Sequence, residues 1–251
     1  MSLAGLIDRW DSQQAAYIAD REKRFDAMLD VLGLDNDGDF TVVDLACGPG
    51  SLSTRVLDRF DRARVVGIDF DPMLLHVARS QVDAYEGRLS IVDADLTDPS
   101  WPDRLGDVVA GAPQAFVSST ALHWLTPAQL LDVYATSYGL LAPGGTLLNG
   151  DHLRFDGRTP RVKVWAQAHD EQTQARAFAE GAPPWDEWWT ELAALPHLAE
   201  LQAERDRRFA GRDSMPPTAV DLHLAALAQA GFGEVGTVWQ LSDDYVVYGA
   251  K

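Results

Sequence analysis

An open α/β sheet, wound in both directions from its first strand, is the fold this sequence predicts, and three observations predict it. Short β-branched and apolar runs alternate with helical periodicities, as strands buried on both faces between helices do. The first run ends in an acid and a glycine turn at residues 42–51, V-V-D-L-A-C-G-P-G-S. The second ends in another acid, Asp69, nineteen positions after Gly50. Doubly wound folds place a ribose-binding carboxylate there.

Val42, Val43 and Leu45 suit a buried strand, and Gly48 and Gly50 let the chain turn with no Cβ in the way. Residues 51–60 then start a helix, whose N-terminal N–H groups lack intrahelical partners and meet a ligand at close range. Asp44 indicates which ligand. A carboxylate at the mouth of the turn repels a pyrophosphate but suits an ammonium and a sulfonium. Ser53 also stands where the dinucleotide fingerprint wants a third glycine or alanine. Both points favour S-adenosylmethionine (SAM) over NAD.

At 251 residues, 46% apolar and 24% charged, the chain suits one α/β domain with an insertion and a packed core. No apolar stretch reaches bilayer length, and residues 1–10 carry Asp8 and Arg9 instead of a basic and then apolar leader, so a cytoplasmic protein with no membrane role is expected. The single Cys47 excludes an internal disulfide framework and reads as a packing residue in the turn. A formal charge of −17 argues against nucleic acid, which requires a basic stripe. Arg205, Arg207 and Arg208 read as the solvated face of a helix. The six histidines show no metal-ligand spacing, so no metal is expected. Ser118 and Ser119 lie outside a G-x-S-x-G turn and read as pocket lining.

Residues 64–69 form the second strand, and Asp69 at its end is the ribose candidate. Asp71 and Pro72 cap and open the helix that follows. Phe70 and Met73 are placed to flank an adenine ring, although packing beneath the loop accounts for them as well. A third strand, residues 89–92, leads to Asp93 and Asp95. Asp95, ahead of the turn at residues 97–101, is preferred as acceptor for the adenine amino group, and Asp93 as the end of the strand. The fourth strand, residues 115–118, runs into S-T-A-L-H-W at residues 119–124, beyond the carboxyl ends of the strands where such sheets bind ligands. His123 there has three open roles: hydrogen-bonding an acceptor carboxylate, acting as a base, or capping the loop beside Trp124.

The set D-x-x-x-G-x-G at residues 44–50, G-I-D at 67–69, D-L at 95–96, S-x-x-A-L-H-W at 118–124 and L-x-P-G-G-x-L at 141–147 resembles the class I SAM-dependent methyltransferases. The A-L-H-W segment is similar to the trans-aconitate and malonyl-carrier-protein methyltransferase group. This resemblance implies a Rossmann-like seven-stranded sheet in the order 3-2-1-4-5-7-6, its last strand antiparallel, with helices on both faces. It implies a cofactor site of Asp44, Ala46, Gly48 and Gly50 at the methionine end, Asp69 at the ribose, and Phe70, Met73, Asp95, Leu96 and Ser119 around the remainder. S-adenosylhomocysteine is then the product. The implied reaction is methylation of a small molecule, free or carrier-protein-bound, at a carboxylate or hydroxyl oxygen. A carbon or nitrogen acceptor, or a silent SAM binder, is the alternative.

Residues 7–32 read as a helix within an N-terminal cover, residues 1–36, from which Tyr17 and Arg24 are candidates for the methionine carboxylate. A helix over residues 126–141, a strand at 146–149, a helix at 218–230 and an antiparallel pair, 234–241 with 245–249, complete the sheet layer. Between them lies a helical lid, about residues 151–217. In it Trp185, Trp188, Trp189 and Leu192 make one stripe at i, i+3, i+4 and i+7 behind Pro183 and Pro184. The stripe faces either the sheet domain or the acceptor, with Trp165, His169 and Phe178 as an opposing wall. Trp185, Trp188 and Trp189 therefore join His123 and Trp124 as acceptor-binding candidates.

Overall fold

The computed structural model describes residues 3–106, 108–155, 157–195, 198–212 and 218–251. Its strands are β1 (Phe40–Leu45), β2 (Ala63–Asp69), β3 (Leu89–Asp93), β4 (Ala115–Ser119), β5 (Thr146–His152), β6 (Glu234–Leu241) and β7 (Asp244–Ala250). They form one sheet in the order β3-β2-β1-β4-β5-β7-β6. The first five are parallel, and β7 runs antiparallel to both β5 and β6. The predicted order and the direction of the last strand both hold.

The described helices are α1 (Leu3–Tyr17), α2 (Arg21–Asp35), α3 (Ser51–Arg59), α4 (Pro72–Arg79), α5 (Pro127–Leu140), α6 (Pro160–Ala179), α7 (Trp185–Ala193), α8 (Ala199–Phe209) and α9 (Val220–Ala230). Alternation along the strands sends Val42, Val65, Val117 and Leu148 into a core with Phe25, Met28 and Leu32 of α2 and Leu52 and Val56 of α3. Val43, Val66, Phe116 and Leu147 enter the opposite core, with Leu130 and Tyr134 of α5 and Leu227 of α9. Burial on both faces is why these strands read as unbroken apolar runs. Thr126 and Gln129 close a reciprocal capping box that fixes the start of α5.

Three expectations change. The N-terminal cover is two helices, broken at Asp20, whose φ of 54° is left-handed, a conformation Asp tolerates better than most residues. β5 continues to His152, because residues 150–152 pair with 244–246 of β7, so the helical insertion begins at α6 and not at Asp151. Its expected end at residues 213–217, His197 within it, and residues 1–2 of the cover lie outside the described residues.

The third change concerns the tryptophan stripe. It docks on helices instead of the sheet, in a separate core of Leu6 and Trp10 from α1, Met73 and Val77 from α4, and Trp188 and Leu192 from α7. Trp188 is fully buried, its Nε1–H donates to the Leu6 carbonyl at 2.8 Å, and its ring lies 4.6 Å from that of Trp10. Trp188 is therefore a packing residue and not an acceptor contact. The opposing wall comes from α1 and α4, since Trp165 of α6 is exposed, with Arg161 over its ring, and Phe178 meets Tyr17.

Candidate active site

The loop after β1 is held from below. Cys47 N–H donates to the Ile68 carbonyl at 2.8 Å, Gly50 N–H to the Cys47 carbonyl at 3.0 Å, and the Gln81 side-chain amide to the Pro49 carbonyl at 2.6 Å. Ala46, Gly48 and Gly50 have φ of 53°, 58° and 93°, so the chain turns through left-handed conformations at alternate residues. A Cβ at Gly50 would stand 3.2 Å from the Gln81 amide, whereas one at Gly48 would meet nothing within 4 Å. The Gly48 side of the loop is open to a ligand.

Asp44 is buried on the α3 side of the sheet and accepts from the Ser53 hydroxyl at 2.6 Å. Burial pushes its carboxyl up to about 7. Asp69 accepts from the backbone N–H groups of Gly48 at 2.7 Å, Phe70 at 2.7 Å and Asp71 at 2.8 Å, and burial pushes it up to about 6. A carboxylate has about four acceptor positions, so roughly one remains for a hydroxyl. An open glycine turn, a buried acid awaiting a cation and an acid with one free acceptor position fit SAM. A cation beside Asp44 favours its ionised form, so SAM binding is expected to release a proton near neutrality. Affinity should then fall as pH drops from about 8 to about 6. Calorimetry in two buffers of different ionisation enthalpy measures the release, and buffer-independent heats would refute it.

Further along the strand ends, Asp95 Oδ1 accepts from the Thr97 N–H at 2.9 Å and its hydroxyl at 2.8 Å, and Oδ2 pairs with Arg212. Asp93 takes both terminal nitrogens of Arg208, at 2.7 and 3.0 Å, and Asp71 takes Arg205 at 2.6 Å. Arg205 and Arg208 thus face the strand ends, and of the expected solvated trio only Arg207, paired with Glu204, stays exposed. Phe70 lies against Phe209, ring centroids 5.4 Å apart. Met73 is buried in the helical core and Leu96 packs on the α5 side of the sheet, so of the three only Phe70 stays outside these cores.

Beyond β4 and β5, His123 Nδ1 lies 2.7 Å from Asp151 Oδ1, and the His123 N–H donates to Asp151 Oδ2 at 3.1 Å. Burial would raise the Asp151 carboxyl, but His123 beside it holds it down to about 2. Burial would lower His123, yet Asp151 raises it above its usual value. With Nδ1–H given to the carboxylate, Nε2 is the ring nitrogen that can accept a proton. Trp124 stands exposed alongside, ring centroids 5.1 Å apart. Sequence reasoning missed Asp151, which it assigned to the start of the insertion. The available signal was an acid at the carboxyl end of a strand, as at Asp44 and Asp69.

Arg24 of α2 is fully buried and crosses β5 at Gly150, where a Cβ would come within 3.2 Å of it. It donates to Asp244 at 2.9 Å, the Ser119 hydroxyl at 2.9 Å and the Thr120 hydroxyl at 2.5 Å. The geometry thus joins Arg24 to Ser119 at the end of β4. Tyr17 turns to the insertion, its hydroxyl accepting from the Trp185 N–H at 3.3 Å. Trp185 packs tilted and Trp189 edge-on against Trp10, and Arg205 covers the Trp189 ring.

Acid-tipped strands around a glycine turn, with a His–Asp pair one strand over, define a cofactor-dependent group-transfer site. Residues 42–145 match the family described as "Methyltransferase domain". The chain is 30% identical over 195 residues to trans-aconitate 2-methyltransferase of Azoarcus sp. (strain BH72), covering 77% of this chain and 70% of that protein. It is 35% identical over 106 residues to the protein of that name from Methylobacterium radiotolerans, a match spanning 42% of this chain and 35% of that one. Its fold is similar to that of the S-adenosylmethionine-dependent methyltransferase SibL in its apo form, with a TM-score of 0.58 at 18% identity over 90% of this chain and 54% of the other. The chain belongs to the class I SAM-dependent methyltransferase family, and SAM is its cofactor.

Proposed function

We propose that the chain methylates a hydroxyl oxygen of a small-molecule acceptor, with His123 as the base and Asp151 as its positioning residue. The observation that carries this reading is the 2.7 Å contact between His123 Nδ1 and a fully buried carboxylate. SAM supplies a methyl group already bonded to a cationic sulfur, and its departure leaves a neutral thioether. An acceptor hydroxyl must lose its proton as the new C–O bond forms, and His123 Nε2 takes it. Asp151 fixes the tautomer and stabilises the imidazolium that results. Alignment of the acceptor oxygen then supplies up to about 7–11 kcal/mol in favourable cases. Gly48, Asp44 and Asp69 hold the cofactor, and the core formed by α1, α4 and α7 secures the cover that excludes water.

A carboxylate acceptor is the second reading, supported by the relatives named trans-aconitate 2-methyltransferase. It is ionised at neutral pH and needs no base, so His123 would serve it as an imidazolium donor. The test is labelled-methyl transfer to a panel of phenols, alcohols, free carboxylic acids and a carrier-bound acid, with kcat/KM followed against pH. For a hydroxyl acceptor the rate rises with pH through the raised value of His123, which lies above 6.5. For a carboxylate it falls through the same range. Methyl found only on carbon or nitrogen would overturn both.

A further inference from the structure

We propose that Arg212 is a gate on the adenine subsite, holding the place of the base until SAM displaces it. The inference rests on the reading of Phe70 and Asp95 as that subsite. The Arg212 guanidinium carbon lies 4.2 Å from the centroid of the Phe70 ring, and an N–H of the same group donates to Asp95 Oδ2. A planar group set over an aromatic face and giving an N–H to a carboxylate occupies the places that adenine takes with its ring and amino group. Asp95 Oδ1 is already engaged twice by Thr97, which leaves Oδ2 for the amino group, and Arg212 occupies it. Arg212 therefore takes the acceptor and stands nearest the ring, with the Arg208 guanidinium farther off at 5.3 Å from the same centroid.

The way the side chain is mounted suits a gate. Arg205 and Arg208 hold α8 to Asp71 and Asp93, and the helix ends at Phe209. Gly211 follows with a left-handed φ of 75° and open space where a Cβ would stand. Arg212 thus sits beyond a glycine hinge and swings out while α8 keeps its two inner ion pairs. Its own pair with Asp95 is part-exposed, strong enough to occupy the subsite and weak enough to yield.

The test is SAM affinity by calorimetry at fixed ionic strength, on the full chain, for wild type, R212A, R207A and R212A/D95A. Arg207 lies on the same segment and among the described residues pairs with Glu204, so R207A removes equal charge without touching Phe70 or Asp95. R212A is expected to bind SAM roughly two- to fivefold more tightly than wild type, the scale of one part-exposed ion pair, and R207A to stay close to wild type. Equal gains in R212A and R207A would reduce the effect to net charge and overturn the gate, as would weaker binding by R212A. R212A/D95A is expected to lose affinity relative to R212A. If it does and R212A shows no gain, the gate fails and the adenine assignment stands. If it does not, the assignment fails and takes the gate with it.

Discussion

His123→Ala is expected to lower kcat by about 10²–10⁴-fold, the usual contribution of a positioned proton acceptor, while SAM affinity stays near wild type. Among the described residues the imidazole's own contacts are to Asp151, through its ring nitrogen, and to the tilted ring of Trp124, and not to the residues proposed to hold the cofactor. Asp151→Asn separates base from orienter. An amide keeps the shape but removes the charge that raises His123, which leaves burial to lower it, so the pH at which activity is half-lost moves down past the usual 6.5. The proton-bearing nitrogen is also no longer dictated, so kcat falls with it. A merely structural Asp151 would change thermal stability and leave the pH profile in place. Rate against pH for both variants, beside thermal unfolding, decides between these.

Arg24→Ala is expected to destabilise the fold by about 3–5 kcal/mol, the range for breaking a buried ion pair on one side. It strands the buried Asp244 carboxylate, removes the donor shared by Ser119 and Thr120, and opens space over Gly150. Asp244→Ala should cost a comparable amount, leaving a guanidinium buried without its counter-charge. Replacing both with apolar residues of similar size should cost much less than the two single changes added together, because neither charge is then left alone. Urea unfolding of the four proteins gives the coupling. Additive losses would mean that Arg24 contributes through packing alone.

What could be read from the chain follows from which contacts are local. β1 to β4 were legible because each is apolar on both faces, and Asp44 and Asp69 because an acid closing such a run stands out. The last residues of β5, Gly150, Asp151 and His152, look like a loop in one dimension, and only the antiparallel partner β7 makes them strand. That concealed Asp151, and with it the His123–Asp151 pair. The stripe of Trp185, Trp188 and Trp189 was legible as a stripe, but its partner Trp10 lies far back in the chain, and periodicity does not reveal what a face meets. Arg205 and Arg208 read as solvent-facing because the acids they meet belong to the ends of β2 and β3, more than a hundred positions earlier.

The fused cluster of Trp10, Trp188, Leu6 and Met73 carries one more consequence. The opening helix and the first part of the late insertion are staples of one roof, nailed to each other and to the rafter that follows the second strand. A protease cut after Tyr17 would thus loosen that roof from a point some 170 residues upstream of the tryptophan that pins it.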